Sequence, residues 1–386
     1  MVQKIVIFLL FLFAGAVSAL AFIYIVGTSP VRFDSPLLTS FNVKKPEVVG
    51  FLPYWLLTKA TRDYTNYVTT MTYFGLTVGG DGHVQKLTNP QEEEPGYAKL
   101  QSYTTSPNFK NSLLVVSGDD GAIGAMIQDP VASANNLVSD IMPIMKEKNF
   151  TDVNLDIESF MTASESARAN FTSFVTAVTD LVKKQHLGTV TLDLIPISLV
   201  KSDLYDAKEI GAVVDRVVLM TYDYHYTGSF TAGANAPIGG AGQILEYDTE
   251  TAVKEALNVI PANKLLLGIP LYGYEWETLQ NSPEAATIPG GSSVASVDRV
   301  AGILSSCASC SAQLDQVARE PYVIYPENDY YNEIYYENEA SMKEKLSMAQ
   351  KYHLGGVALW ALGYEDNTIL NPLTNYKNTL DLSGLY

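Results

Sequence analysis

The amino-acid sequence predicts an α/β fold of the (β/α)₈ barrel type, also called a TIM barrel, within residues 47–386. Three features support this prediction. Eight short apolar segments recur along the chain, most are separated by stretches of helix length, and polar or aromatic residues follow several of them. The chain has 386 residues, 47% of them hydrophobic, which is enough for one large core. A doubly wound open sheet is the alternative.

The chain begins with an uncharged apolar segment, residues 5–27, that is long enough to cross a bilayer as one helix. Two interpretations stay open. Val17-Ser18-Ala19 is similar to a signal-peptide cleavage site, whereas the apolar run continues beyond it as in a signal anchor, which we favour. Either way, we expect the rest of the chain outside the cell, anchored to the membrane or secreted. Residues 28–46 are predicted to be a linker.

The eight strands can be assigned in order from their apolar patterns and from the turns that bound them. The predicted strand segments are Val48–Trp55, Tyr67–Val78, Ser112–Ser117, Thr151–Glu158, Thr189–Ile195, Arg216–Tyr222, Lys264–Pro270 and Gly356–Trp360. Helix signals lie between them, such as Asp129 followed by Pro130, which is typical of a helix start. Residues 275–338 break the alternation and predict a small α+β insertion between strands seven and eight.

Composition limits the partners that the protein can have. The net charge is −17 and no cluster of Lys and Arg could follow a phosphate backbone, so nucleic acid is not an expected partner. The four histidines lack metal-ligand spacing, and we expect neither a metal nor another cofactor. For Cys307 and Cys310 we favour a loop disulfide or free thiols over a redox or zinc site. We also expect a monomer.

The segment Thr151–Glu158, T-D-V-N-L-D-I-E, alternates apolar and polar residues with the period of a strand. One strand face therefore carries an amide and several acids. Crowded carboxylates repel each other, so such a face indicates a site that needs raised pKa values. Glu158 ends the alternation, and it should lie at the carboxyl end of the strand, where barrels bind ligands. The alternative is an edge strand with solvated acids.

Asn154-Leu155-Asp156-Ile157-Glu158 resembles the D-G-x-D-x-D-x-E signature of glycoside hydrolase family 18, the chitinases and their relatives. Two further segments resemble motifs of that family in the same order. Met220-Thr221-Tyr222-Asp223 matches M-x-Y-D, and Gly355–Trp360 matches G-G-x-x-x-W. The resemblance covers about residues 48–370. Within it, Phe51–Trp55 is similar to the spore-germination-type cell-wall members.

The resemblance implies retaining hydrolysis of a polysaccharide that contains β-1,4-linked N-acetylglucosamine, with chitin and peptidoglycan as candidates. In that family the substrate assists, because its 2-acetamido oxygen attacks its own anomeric carbon. Glu158 would be the general acid and later the base. Asp156 would raise the pKa of Glu158 and accept a hydrogen bond from the acetamide N–H. Tyr222 would donate its hydroxyl to the acetamide oxygen.

Six further residues are expected to contact or support the sugar. Trp360 would form the floor under a sugar ring, and Asp223 would support the sugar or the network of acids. The full set of expected binding residues is Asn154, Asp223, Trp360, Met220, Tyr54 and Tyr272.

The sequence also departs from the family pattern. Thr151, Asp152 and Asn154 replace the first Asp, the Gly and the middle Asp of the signature. Asn154 cannot share a proton with Asp156 as an acid would, and Thr151 is expected to be buried at the start of the strand. A chitinase-like protein that binds sugar without cleaving it is the alternative function. Such proteins typically lack the terminal Glu, so Glu158 favours the enzyme.

Overall fold

The computed structural model describes residues 45–103, 109–243 and 246–379, which contain fourteen strands. In chain order they are β1 (Glu47–Pro53), β2 (Thr70–Val78), β3 (Val84–Lys86), β4 (Lys110–Ser117), β5 (Asp152–Ile157), β6 (Thr189–Leu194), β7 (Arg216–Leu219), β8 (Leu265–Pro270), β9 (Tyr272–Thr278), β10 (Thr287–Ser296), β11 (Gln313–Leu314), β12 (Pro321–Glu327), β13 (Tyr330–Tyr335) and β14 (Gly356–Trp360).

Eight of these strands form the predicted barrel. Strands β1, β2, β4, β5, β6, β7, β8 and β14 are all parallel, and β1 pairs with both β2 and β14. This double pairing closes the sheet, so the barrel is confirmed and the doubly wound open sheet is wrong. A parallel barrel brings the carboxyl ends of its strands together at one face.

Nine helices within the described ranges cover the barrel and its connections. They are α1 (Pro95–Gln101), α2 (Asp120–Met126), α3 (Pro130–Lys148), α4 (Glu165–Lys184), α5 (Ala207–Val213), α6 (Thr249–Leu257), α7 (Val297–Ser306), α8 (Glu339–Lys351) and α9 (Asn371–Tyr376). Helix α3 begins as predicted, because the Asp129 carboxylate accepts the Ala132 N–H and Pro130 occupies the first helical position.

An insertion lies between β8 and β14. It consists of the antiparallel sheet β10-β9-β13-β12-β11 together with helix α7, and its first strand starts at Tyr272. Cys307 and Cys310 form a disulfide in the loop that follows α7. Tyr274 and Trp276 of β9 and Tyr322 and Tyr335 of β12 and β13 belong to a separate aromatic cluster. Aromatic side chains from three strands thus supply much of the core of the insertion.

The predicted membrane segment, residues 5–27, and residues 28–44 of the predicted linker lie outside the described residues. Across the three described ranges, no helix combines the length and the hydropathy that a membrane span requires.

Strand β5 is buried on both faces. It lies between β4 and β6, and all six of its residues are buried. The expectation of an edge strand with solvated acids is therefore wrong for this segment. Thr151 is exposed, so its expected burial is also wrong. The buried residue at the start of the strand is Asp152, which accepts hydrogen bonds from Ser112 and Thr189 and pairs with Arg216 at 3.5 Å.

Helix α8 is joined to the segment that precedes it by a completely buried ion pair. Lys345 donates to Glu337, both side chains are fully buried, and Ser341 donates to the other oxygen of the same carboxylate. Removing one partner of a buried pair leaves an uncompensated charge in a low-dielectric interior.

We predict that Lys345→Met lowers the free energy of unfolding by about 3–5 kcal/mol, because it leaves the Glu337 carboxylate without its ammonium partner. Urea unfolding monitored by circular dichroism would measure the change. The control is Lys343→Met on the exposed face of the same helix, where Lys343 pairs with Glu339 in solvent and its loss should have no measurable effect. Equal effects of the two substitutions would contradict the prediction.

Candidate active site

Four carboxyl groups meet in one cavity at the carboxyl ends of the barrel strands. Asp156 of β5, Glu158 just after β5, Asp193 of β6 and Asp223 after β7 line this cavity, which has a volume of about 700 Å³. The lining also includes Glu255 of α6 and, among others, Met220, Tyr222, Tyr224, Tyr226, Tyr247, Tyr274 and Trp360. Residues from the fourth, sixth and eighth barrel strands therefore lie together in this cavity.

Asp156 and Glu158 lie on the same face of β5, and their carboxyl groups are within hydrogen-bonding reach of each other. The pKa of Asp156 is raised well above its ordinary value by burial, and then by the neighbouring charges of Asp193 and Glu158. The raised pKa favours the protonated form of Asp156, in which it can donate a hydrogen bond to Glu158.

The pKa of Glu158 is also raised, but the causes differ from those predicted. Burial raises it first and the charge of Asp223 adds to this, whereas the hydrogen bond from Asp156 lowers it. The expectation that Asp156 raises the pKa of Glu158 is therefore wrong, because a protonated Asp156 stabilises the Glu158 carboxylate. The pKa of Glu158 is nevertheless raised overall, which favours the protonated form of Glu158.

Tyr222 reaches the same group of acids from the segment after β7. Burial and the charges of Asp193 and Asp156 raise its pKa well above the ordinary value, so its hydroxyl stays neutral and can donate. The Thr221 hydroxyl fixes this segment by donating to the Gly268 carbonyl at 2.7 Å. A Cβ at Gly268 would lie 3.0 Å from the Tyr222 ring, so the glycine lets the ring pack closely against β8.

Asp223 is held in place by two tyrosines of β9. Its carboxylate accepts the hydroxyls of Tyr272 at 2.5 Å and Tyr274 at 2.9 Å. Its backbone has a φ of 63°, and its N–H donates to the Asn235 side chain at 2.8 Å. Tyr272 itself is buried and is not among the cavity-lining residues of the described chain. The structure thus gives Tyr272 a position that supports Asp223, and its contact with a sugar stays a prediction.

Trp360 ends β14 and forms part of an aromatic wall of the cavity. Its ring centroid lies 5.4 Å from that of Phe51 and 6.0 Å from that of Phe74. Tyr54 packs edge-on against Trp55 and Phe74, and the described part of the structure does not bring it to the cavity lining. Of the two aromatic side chains expected here, Trp360 lines the cavity, and the contact of Tyr54 with a sugar stays a prediction.

Met220 and Asn154 are the remaining predicted binding residues, and they differ in their access to the cavity. Met220 is buried and lines the cavity as expected. Asn154 is buried two residues deeper in β5 and, in the described chain, does not line the cavity; instead it hydrogen-bonds to Asp193. The sequence analysis missed Asp193 and Tyr274. An acid inside the apolar strand T-V-T-L-D-L was the available signal for Asp193.

Comparison with known proteins identifies the family. The model of glycosyl hydrolases family 18 matches residues 47–365. The chain belongs to this family. It is 25% identical over 319 residues to the cortical fragment-lytic enzyme of Bacillus subtilis, a match that covers 80% of this chain and 67% of that enzyme. It is 27% identical over 352 residues to mouse chitotriosidase-1, with 85% of this chain and 72% of that protein covered.

The solved structures agree on the fold. The Ostrinia furnacalis Group IV chitinase, determined in complex with allosamidin, superimposes with a TM-score of 0.75 at 21% identity, and the match covers 86% of this chain and 98% of that one. The family and the named activities of the curated relatives make this family 18 chain a glycosidase. The resemblance seen in the sequence is thereby confirmed.

We predict that Asp223→Asn lowers the pKa of Glu158. A nearby negative charge disfavours the Glu158 carboxylate, so replacing that charge with a neutral amide makes ionisation easier. The Glu158 carboxyl can be followed by ¹³C NMR titration of glutamate-labelled protein, with Glu158→Gln to assign its signal. Asp180→Asn on the exposed face of α4 makes the same charge change elsewhere and should leave the titration unaltered. An unchanged or raised pKa in Asp223→Asn would refute the electrostatic assignment.

Proposed function

We propose that this glycosidase hydrolyses polysaccharides containing β-1,4-linked N-acetylglucosamine, of the chitin or peptidoglycan type, with retention and with assistance from the substrate. The observation that carries the proposal is the position of Glu158, whose raised pKa and place in the cavity beside Asp156 and Tyr222 suit a proton donor. The relatives named as a cortical fragment-lytic enzyme and as chitinases support the substrate class.

The first step needs an acid at the glycosidic oxygen. Glu158 gives its proton to that oxygen as the bond to the anomeric carbon breaks, and the 2-acetamido oxygen bonds to the same carbon. Water then attacks this carbon, the bond to the acetamido oxygen breaks, and Glu158 takes a proton from the water. One carboxyl group thus serves as acid and then as base, and the configuration at the carbon is retained.

The acetamide group needs a hydrogen-bond acceptor and a donor on the protein. Asp156 Oδ1 is buried and unpartnered, so it is available to accept the acetamide N–H. The neutral Tyr222 hydroxyl can donate to the acetamide oxygen as that oxygen is aimed at the anomeric carbon. Trp360 offers an aromatic face for the sugar ring. Burial is the main cause of the raised pKa of Glu158, and the charge of Asp223, which is bound by Tyr272 and Tyr274, adds to it.

We also propose where the protein works. Its polymeric substrates lie outside cells, and the apolar segment at residues 5–27 would export the barrel and hold it at the membrane, or be cleaved to release it. We propose that the barrel acts as a monomer, since the four carboxyl groups and the aromatic wall all come from one chain.

We predict that Glu158→Gln abolishes turnover of a chromogenic N-acetylglucosamine oligomer, with a loss of at least about 10²–10⁴-fold in kcat, because it removes the proposed proton donor to the leaving oxygen. Glu165→Gln in the exposed first turn of α4 is the matched control and should keep wild-type activity. Release of reducing ends from chitin and from purified peptidoglycan would identify the polymer. Binding of the oligomer by the wild type without turnover would favour the sugar-binding alternative.

We predict that Trp360→Ala weakens binding of an N-acetylglucosamine oligomer by about tenfold or more, which corresponds to about 1.4 kcal/mol, because the apolar face of one sugar loses its aromatic partner. Calorimetry with the Glu158→Gln variant as background would measure the dissociation constant without hydrolysis. Phe230→Ala removes an aromatic ring that is 93% exposed and outside the cavity lining, and it should not change the affinity. Unaltered affinity in Trp360→Ala would rule out the proposed ring contact.

A further inference from the structure

Three buried side-chain oxygens of β5 and β6, beside the cavity, have no hydrogen-bond partner. They are Oδ1 of Asn154, Oδ1 of Asp156 and Oδ1 of Asp193, in residues that are 1%, 6% and 3% exposed. An unsatisfied buried oxygen costs free energy, and an unpaired buried charge costs more. Two carboxyl groups that share a proton can satisfy each other, whereas an amide oxygen cannot contribute a proton.

The strand register places two of these groups side by side. Strands β5 and β6 are parallel, and their paired residues run from Asp152 opposite Thr189 to Leu155 opposite Leu192. The next position in this register sets Asp156 beside Asp193. Neighbouring strands lie about 4.8 Å apart, and both side chains face the cavity. The two carboxyl groups are therefore neighbours across the strand pair.

Adjacent buried carboxyl groups cannot both ionise at low cost. Asp193 is the nearby charge that contributes most to the raised pKa of Asp156, and burial also raises the pKa of Asp193 itself. Asn154 acts in the opposite direction, because its amide donates to Asp193 and lowers the pKa of that group. Other titratable groups around Asp193 are Glu158, Asp152 at the foot of β5, Tyr205 and Tyr222.

We propose that Asp193 is a positioning residue that shares one proton with Asp156, since the amide of Asn154 cannot do so. With the proton on Asp156, that group donates to Glu158, as in the free structure. When the proton passes to Asp193, the O–H bond on Asp156 breaks, an O–H bond on Asp193 forms, and the charge of the pair stays the same. Asp156 is then a carboxylate that can accept the acetamide N–H. This role rests on the proposed function.

Substitution of Asp193 by Asn in the full chain tests the proposal in two independent ways. The first needs no substrate. The infrared band of protonated buried carboxyl groups should persist to higher pH in the wild type than in Asp193→Asn, because the shared proton is lost from the variant. Asp203→Asn, which changes a buried carboxyl group outside the cavity lining, should leave this titration of the cavity acids unaltered. An unchanged titration midpoint in Asp193→Asn would overturn the proposal.

The second readout is the pH profile of turnover. We expect Asp193→Asn to lower kcat by about 10²-fold near neutral pH with little change in KM, and to move the basic limb of the profile to lower pH. The double variant Asn154→Asp/Asp193→Asn returns an acid next to Asp156 and should recover most of the lost kcat. A wild-type profile in Asp193→Asn, or a loss that is uniform across pH and without rescue, would overturn the proposal. If the wild type shows no turnover, the proposed function fails and the infrared titration alone decides.

Discussion

The site depends on one electrostatic constraint, which is that burial, reinforced by neighbouring charges, suppresses the ionisation of the carboxyl groups at the ends of β5 and β6. Asp156, Glu158, Asp193 and Asp223 all line the same cavity, and the pKa of each is raised. Protons therefore stay on acids that would lose them in water. A Glu158 that keeps its proton can act as an acid near neutral pH. The same constraint raises the cost of a fully charged carboxylate nucleophile, which fits the proposal that the substrate supplies its own nucleophile.

The barrel imposes this constraint through its topology. Because β5 is enclosed between β4 and β6, its polar residues have no route to bulk solvent except the cavity. Closure of the sheet by β1 and β14 then brings Trp360 opposite the acids that β5 supplies. The insertion after β8 contributes Tyr272 and Tyr274, which hold Asp223 in place. The charges of the site are thus fixed by elements that are far apart in the sequence.

Much of this arrangement could be predicted from local patterns. Period-two alternation identified β5, and its last acid, Glu158, lies at the carboxyl end of the strand as expected. Contacts between strands could not be predicted in this way. Asp193 reaches Asp156 only through the register of β5 and β6, and Tyr272 reaches Asp223 only through the fold of the insertion after β8. Whether Asp156 raises or lowers the pKa of Glu158 depends on which of the two groups holds the proton. The sequence pattern does not indicate this.

The most direct test of assistance by the substrate compares two chromogenic oligosaccharides. They differ only in the group at carbon 2 of the sugar that is cleaved. One carries the acetamide and the other carries a hydroxyl, with the same leaving group and the same chain length. If the acids of the cavity cannot supply a nucleophile, the wild-type chain should hydrolyse only the acetamido compound above background. Similar rates for both compounds would contradict the account, because they would require a nucleophile from the protein.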